Sequence, residues 1–97
     1  MSSIKHQDSK RGGVFYVEQE GERVAEITYQ WREADTIVAD HTWVSHALRG
    51  QGVARKMLDI LVEFARQKRL KIIPQCSYVH VMFKRDRNLQ DVAALAF

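Results

Sequence analysis

The spacing of apolar positions changes period once along this chain. Up to Val44 the pattern is that of strands. Val14–Gln19 (VFYVEQ) is rich in β-branched and aromatic residues, and Glu20-Gly21-Glu22 follows as a turn. From Arg23 to Trp31, Val24, Glu26, Thr28 and Gln30 alternate with Ala25, Ile27, Tyr29 and Trp31, a period of two. Arg32–Asp35 is a second polar turn, and Thr36–Val44 (TIVADHTWV) a third strand. The first half therefore predicts an antiparallel meander. After Ser45 the period lengthens. Val53, Met57, Leu61 and Phe64 recur every three to four residues, flanked by Leu58 and Ala65, which predicts an amphipathic helix from about Gly50 to Lys68. Its outer face carries Arg55, Lys56, Asp59, Glu63, Arg66 and Gln67.

Leu70–Pro74 (LKIIP) reads as a buried fourth strand. A strand, a long helix and a return strand form a crossover unit, so the third and fourth strands are expected to be parallel. Ser77 is positioned to cap a last helix that turns Val79, Met82 and Phe83 inward, and Asn88–Ala96 is a short helical or irregular tail. The order β-β-β-α-β-α predicts an α/β (α+β) domain: a mixed, mostly antiparallel sheet with helices packed on it. Residues 1–13 are polar and end in Gly12-Gly13, and are expected to form a flexible tail ahead of a single domain spanning residues 14–97.

Composition narrows the class. A chain of 97 residues buries roughly 65% of its extended surface on folding, enough for one modest core. With 45% hydrophobic and 28% charged residues, extensive disorder is not expected. A single cysteine excludes an internal disulfide, and the four histidines show no metal-ligand spacing. No apolar run approaches the ~20 residues of a membrane-spanning helix, and the N-terminus lacks a signal-peptide apolar region, so the expectation is a cytoplasmic protein without membrane contact.

Charge is uneven. Residues 1–44 carry five Lys/Arg against eight Asp/Glu, whereas residues 45–87 carry ten against three. The basic half favours a polyanion: nucleic acid, an anionic surface or a phosphorylated cofactor. The third strand runs into Arg49-Gly50-Gln51-Gly52-Val53-Ala54, which opens the long helix. The first amides of a helix lack intrahelical partners, the dipole is positive there, and glycines let oxygen atoms reach the backbone. Glycine in such a turn also serves simply to supply a positive φ. The segment matches neither GxGxxG nor GxxxxGK[ST].

Arg49-x-x-Gly52-x-Ala54 resembles the [Q/R]-x-x-G-x-[G/A] pyrophosphate loop of the GNAT superfamily of acetyl-CoA-dependent N-acetyltransferases. With Asp40-His41-Thr42, Ala47-Leu48 and Pro74-Gln75-Cys76-Ser77-Tyr78-Val79, it is similar to the short GNAT-like acetyltransferases, over roughly residues 14–83. The resemblance implies acetyl-CoA (coenzyme A) as cofactor. Its pantetheine arm would lie against Thr42, Trp43 and Val44, where the strand splays from its parallel neighbour. Its pyrophosphate would lie on Gly50, Gln51, Gly52, Val53 and Ala54, with Arg49 and Arg55 beside it. The larger family places two helices between its first two strands, where they help form the acceptor pocket. Here only Glu20-Gly21-Glu22 fits between the expected first two strands, so the acceptor side is expected to be open.

Acetyl transfer requires a base for the amine, a donor for the oxyanion and an acid for the thiolate. The backbone N–H near Val44 suits the oxyanion. His41 is a candidate base, because imidazole titrates near neutral pH, and Glu26 on the neighbouring strand is a second. Both residues are also ordinary in a sheet. His46 and His80 read as surface or cap residues, and His6 falls in the tail. Cys76, between the fourth strand and a helix start, is expected either to accept the acetyl group covalently or to line the acetyl pocket; free cysteine is also commonly a small buried hydrophobe. Tyr78 lies where larger GNAT enzymes often place the acid.

Three functions follow from these residues. The first is an acetyl-CoA-dependent N-acetyltransferase acting on a primary amine, either a small molecule or a protein lysine. The second is a noncatalytic acyl-CoA-binding sensor. The third, set lower, is a small basic nucleic-acid-binding protein that uses Tyr16, Tyr29, Trp31 and Trp43 as stacking residues, although no recognition motif accompanies them. A monomer and a homodimer are both compatible, with Trp31 a candidate edge residue.

Overall fold

A computed structural model describes residues 3–95; Met1 and Ser2 of the expected tail, and Ala96 and Phe97 of the expected domain, lie outside the described residues. Five strands, β1 (Lys5–Asp8), β2 (Gly12–Gln19), β3 (Glu22–Glu33), β4 (Thr36–Val44) and β5 (Lys71–Pro74), form one sheet in sequence order. The first three pairings are antiparallel and β4–β5 is parallel, as the crossover requires. Helix α1 (Val53–Lys68) makes that crossover, and α2 (Ser77–Arg85) follows β5. A 3-10 turn at His46–Leu48 precedes α1, and another at Arg87–Val92 leads to Ala93, which bridges Ile72 of β5 in parallel. The mixed, mostly antiparallel class is as expected, with one strand more than the β-β-β-α-β-α order allows.

That strand is β1, inside the segment expected to be a flexible tail. Its four residues, KHQD, are all exposed, so the sequence carries no apolar signal for it. Cross-strand partners satisfy its polar groups instead. Lys5 pairs with Glu18 at 2.9 Å. The Gln7 amide donates to the Tyr16 hydroxyl. His6 stacks on Phe15 with ring centroids 4.0 Å apart, and its Nε2 lies 2.7 Å from the Tyr29 hydroxyl. That hydroxyl and the Trp31 indole N–H both donate to Asp8. Since the Tyr29 hydrogen goes to Asp8, His6 donates from Nε2. Gly12 and Gly13 begin β2 rather than end a tail. A Cβ on Gly12 would overlap the Tyr29 carbonyl oxygen, and one on Gly13 the Tyr29 hydroxyl and the Gln7 carbonyl oxygen.

One core lies on one face of the sheet. Phe15, Val17, Ala25, Ile27, Tyr29, Ile37, Ala39 and Ile72 meet Met57, Leu58, Leu61, Val62 and Ala65 of α1, and Val79 and Phe83 of α2. The buried stripe of α1 is rotated from the expected one: Leu58, Val62 and Ala65 are inside, while Val53 and Phe64 flank it. The reason is α2 and the final 3-10 turn, which cover the side of α1 that a sheet alone would leave in water. Arg55 and Arg66, expected on the outer face, reach over to Asp86 and Asp91 of those segments. Helix α1 starts at Val53, three residues later than expected, because Gly50 and Gly52 have φ of +81° and +76°.

Among the described residues, no helix packs on the opposite face of the sheet. Its side chains include Tyr16, Glu26, Thr28, Val38, His41 and Trp43, as the register pairs Tyr16 with Glu26, Glu26 with Trp43, and Thr28 with His41. Among the stacking residues that nucleic-acid binding would need, Tyr29 is 1% and Tyr16 7% exposed, and Trp31 packs on the core. Trp43 alone of the four is exposed, so no stacking platform forms.

Two outcomes follow. Gly13→Ala overpacks the Tyr29 contact and is expected to destabilise the chain by about 1–3 kcal/mol in urea unfolding, with the m-value unchanged. Burial pushes His6 below the ordinary imidazole value of 6.5, against the pull of Asp8. The unfolded chain then binds the proton first, so this contribution to stability is present above about pH 6.5 and is lost as pH falls through the folded pKa. The urea midpoint of His6→Phe is expected to drop less between pH 7.5 and 5 than that of the parent.

Candidate active site at the splayed strand

The site begins where β5 stops. Thr36–Ala39 pair with Lys71–Pro74, and there the parallel ladder ends. The next two amides, Gln75 N–H and Cys76 N–H, both donate to the Ala39 carbonyl, at 3.0 and 2.8 Å, and turn the chain off the sheet into α2. Strand β4 continues for five residues beyond, Asp40–Val44, with β3 on one side only.

The phase of the antiparallel ladder decides what this edge offers. Ser45 N–H donates to the Val24 carbonyl at 2.8 Å. Residues of such a ladder alternate between bonding the partner and pointing both backbone groups away. Thr42 and Val44 therefore aim their N–H and C=O groups away from β3, into the gap left by β5. The Arg49 Nε–H donates to the Val44 carbonyl from that side, at 3.2 Å.

The gap opens onto the N-terminus of α1. Gly52 is its N-cap in the left-handed region, no side chain caps it, and the first turn has no acidic residue. The first intrahelical bond, Lys56 N–H to Gly52 O, leaves the amides of Val53, Ala54 and Arg55 without helical acceptors. A Cβ on Gly50 or Gly52 would touch nothing within 4 Å. An oxyanion has room to reach bare amides here, with the dipole's positive end behind them. A cleft of about 190 Å³ joins these parts, lined by Val44, Leu48, Arg49, Gly50, Gly52 and Tyr78 among others. The donor set therefore fits a diphosphate.

The two arginines are used differently from one another. Arg49 pins the turn to the end of β4. The Arg55 guanidinium is held by Asp86 and Asp59, which push its pKa above the ordinary value. Its charge is shared with two carboxylates, so what Arg55 presents to the cleft first is its backbone N–H. Asp86 is held below the usual carboxylate range mainly by that hydrogen bond from Arg55. This clamp between α1 and α2 was invisible in the sequence, where Arg55 and Asp86 stand 31 positions apart.

Cys76 is the N-cap of α2, one residue ahead of the expected Ser77. It is half-buried, and its Sγ–H donates to Thr42 Oγ1 at 3.3 Å. Thr42 stands opposite Ile27 in the register, so both side chains lie on the helix-covered face. Tyr78, the second residue of α2, is half-buried; burial pushes its phenol pKa up, against the lowering effect of Arg55. Cys76, Thr42, Tyr78 and the glycine turn thus surround one gap from one side.

His41 lies on the other face. Its Nε2 is 3.2 Å from Glu26 Oε2, and Glu26 also accepts from Arg23 at 3.2 Å. The two base candidates form one pair. Sequence spacing does not reveal it, because the pairing depends on the β3–β4 register and on a bulge between Thr28 and Tyr29. His46 and His80 are exposed, on the 3-10 turn and on α2. Among the described residues, no three His, Cys, Asp or Glu side chains are grouped to hold a metal ion, and no helix is long and apolar enough to cross a membrane.

The open acceptor side was expected from the Glu20-Gly21-Glu22 turn. The first two strands are in fact β1 and β2, joined through Ser9–Arg11 with Ser9 bonded to Gly12. This connection too is a tight turn with no room for helices.

Comparison with known proteins agrees with this geometry. A family model described as GCN5-related N-acetyl-transferase matches residues 14–92. The NMR solution structure of a GCN5-like protein from Staphylococcus aureus is 41% identical, with a TM-score of 0.77, covering 98% of this chain and 89% of that one. A GNAT family acetyltransferase from Elizabethkingia anophelis with acetyl-CoA bound has a TM-score of 0.58 at 15% identity. The match covers 77% of this chain and 52% of that one. An aminoglycoside N-acetyltransferase in complex with CoA has a TM-score of 0.63 at 10% identity, covering 98% of this chain and 96% of that one. These last two share the fold. No curated protein matches the sequence. With four-fifths of its length inside the family match and a solved relative at 41% identity, the chain belongs to the GCN5-related N-acetyltransferase family.

Proposed function

We propose that this protein binds acetyl-CoA in the gap between β4 and β5 and transfers its acetyl group to a primary amine. One observation carries the reading: the gap that bares the Thr42 and Val44 backbone runs directly into a glycine-capped, acid-free helix start. The relatives of the same fold solved with acetyl-CoA or CoA support it. The amides of Gly50, Gln51, Gly52, Val53, Ala54 and Arg55 would hold the pyrophosphate, with Arg49 fixing the turn. The outward backbone groups of Thr42 and Val44 would pair with the pantetheine arm. Trp43, expected beside them, has the ladder phase that faces β3 and its side chain on the other face, so it drops out of the cofactor set. Bound there, acetyl-CoA supplies the activated acetyl thioester.

The chain's own groups divide the rest of the work by face. His41, oriented by Glu26, takes the proton shed by the attacking amine. The Val44 N–H donates to the carbonyl oxygen as negative charge grows on it. Tyr78, kept protonated by burial, returns a proton to the departing sulfur. Cys76 lies beside Thr42 at the same gap, where it lines the acetyl pocket or takes the acetyl group itself. The open acceptor face also keeps in play a module that binds acyl-CoA without transfer.

Titration of ¹⁵N-labelled protein with acetyl-CoA is expected to move the amides of Gly50–Lys56, Thr42 and Val44. Silence there at millimolar ligand overturns the reading. His41→Gln is expected to lower kcat about a hundredfold or more in a thiol-release assay, since a positioned base contributes ~10²–10⁴. Acetyl-CoA affinity is expected to hold in that variant. Cys76→Ala that keeps full transfer, with no acetylated Cys76 in the parent by mass spectrometry, excludes the covalent route. Binding without transfer to any amine favours the noncatalytic module.

A further inference from the structure

On the reading above, the acceptor amine reaches the gap from the face opposite α1, and this face is unlike a small-molecule pocket. Both helices and the closing 3-10 turn pack on the other side. Only Tyr16 and Val38 among its strand side chains are buried outside the core cluster. Strands of 4, 8, 12, 9 and 4 residues, at ~3.3 Å per residue and ~4.8 Å between strands, give the face on the order of 600 Å². That approaches the ~800 Å² per partner of a standard protein–protein interface. A small amine, by contrast, would meet a single wall, where small-ligand sites enclose ~70–90% of the ligand.

The side chains at the gap end are selective in charge. Glu26 is shared between Arg23 and His41. Asp40 projects to the same face, where its two oxygens accept from Thr28 Oγ1 at 2.6 Å and Gln30 Nε2 at 2.7 Å. No basic side chain pairs with Asp40 among the described residues. Trp43, 39% exposed, stands beside Glu26 in the register, two residues past His41 and on the same face. It presents an aromatic surface on which a lysine's methylene stem or ammonium can rest.

We propose that this helix-free face docks an extended, lysine-bearing segment of another protein. The acceptor lysine is led past Trp43 to His41, and a neighbouring basic residue of the segment meets Asp40. The inference rests on acetyl transfer at the gap and goes beyond it by naming the acceptor as a protein lysine with a basic neighbour.

The test uses the full chain, acetyl-CoA and four acceptors: an unstructured decapeptide with one lysine flanked by arginines, the same peptide with glutamates as flanks, spermidine and n-butylamine. The arginine-flanked peptide is expected to show kcat/KM at least tenfold above the other three, about 1.4 kcal/mol. It is expected to shift the resonances of Tyr16, Thr28, Val38 and Asp40, whereas acetyl-CoA alone shifts Gly50–Lys56, Thr42 and Val44. Asp40→Asn is expected to raise its KM about fivefold with kcat held, a loss of about 1 kcal/mol. Spermidine or butylamine used as well as the peptide, indifference to flank charge, or peptide shifts away from this face overturns the inference and leaves acetyl transfer standing. Acetyl-CoA binding with no transfer to any of the four overturns both.

Discussion

The Ala39 carbonyl sets the geometry of this molecule. By accepting both Gln75 and Cys76 N–H it ends the parallel β4–β5 pairing and sends the chain into α2. Everything proposed for the site depends on that ending. Strand β4 keeps its antiparallel partner but has no neighbour on its other side, so the outward amides of Thr42 and Val44 are left facing a gap. An unpaired strand edge is ordinarily a liability. Here it lies at the mouth of a bare helix N-terminus, and two kinds of unsatisfied backbone donor converge on the same space.

The sheet then separates two chemistries. Its helix-covered face carries Cys76, Thr42, Tyr78 and the glycine turn, all short or half-buried groups close to the core. The other face carries His41, Glu26, Asp40 and Trp43, which are polar or exposed and reach water. A strand places successive side chains on opposite faces. Residues 41–44 thus alternate between the two sides, and on the proposed reading one strand would serve both the acyl donor and the acceptor.

Clamps hold this arrangement with few residues. Arg55 ties the first turn of α1 to Asp86 beyond α2, Arg66 ties its last turn to Asp91, and Arg49 ties the turn to Val44. At the far edge, His6 and Asp8 close over Tyr29 and Trp31 and give β1 a polar anchor in place of an apolar one. A chain of this length has little core to spare, and these contacts supply order where burial cannot.

Sequence by itself determined the period-two strands from Val14 to Val44, the crossover through α1, and the glycine turn at its head, because each is a local pattern of apolar spacing or backbone freedom. It also singled out His41, Glu26, Cys76 and Tyr78 one at a time. It missed β1, since KHQD is held by side chains that lie 9 to 23 positions away. It left open the pairing of His41 with Glu26 and of Cys76 with Thr42, and the capture of Arg55 by Asp86. Tertiary structure alone decided these, because register, a bulge and the point where a ladder stops are long-range properties that no window of neighbouring residues contains.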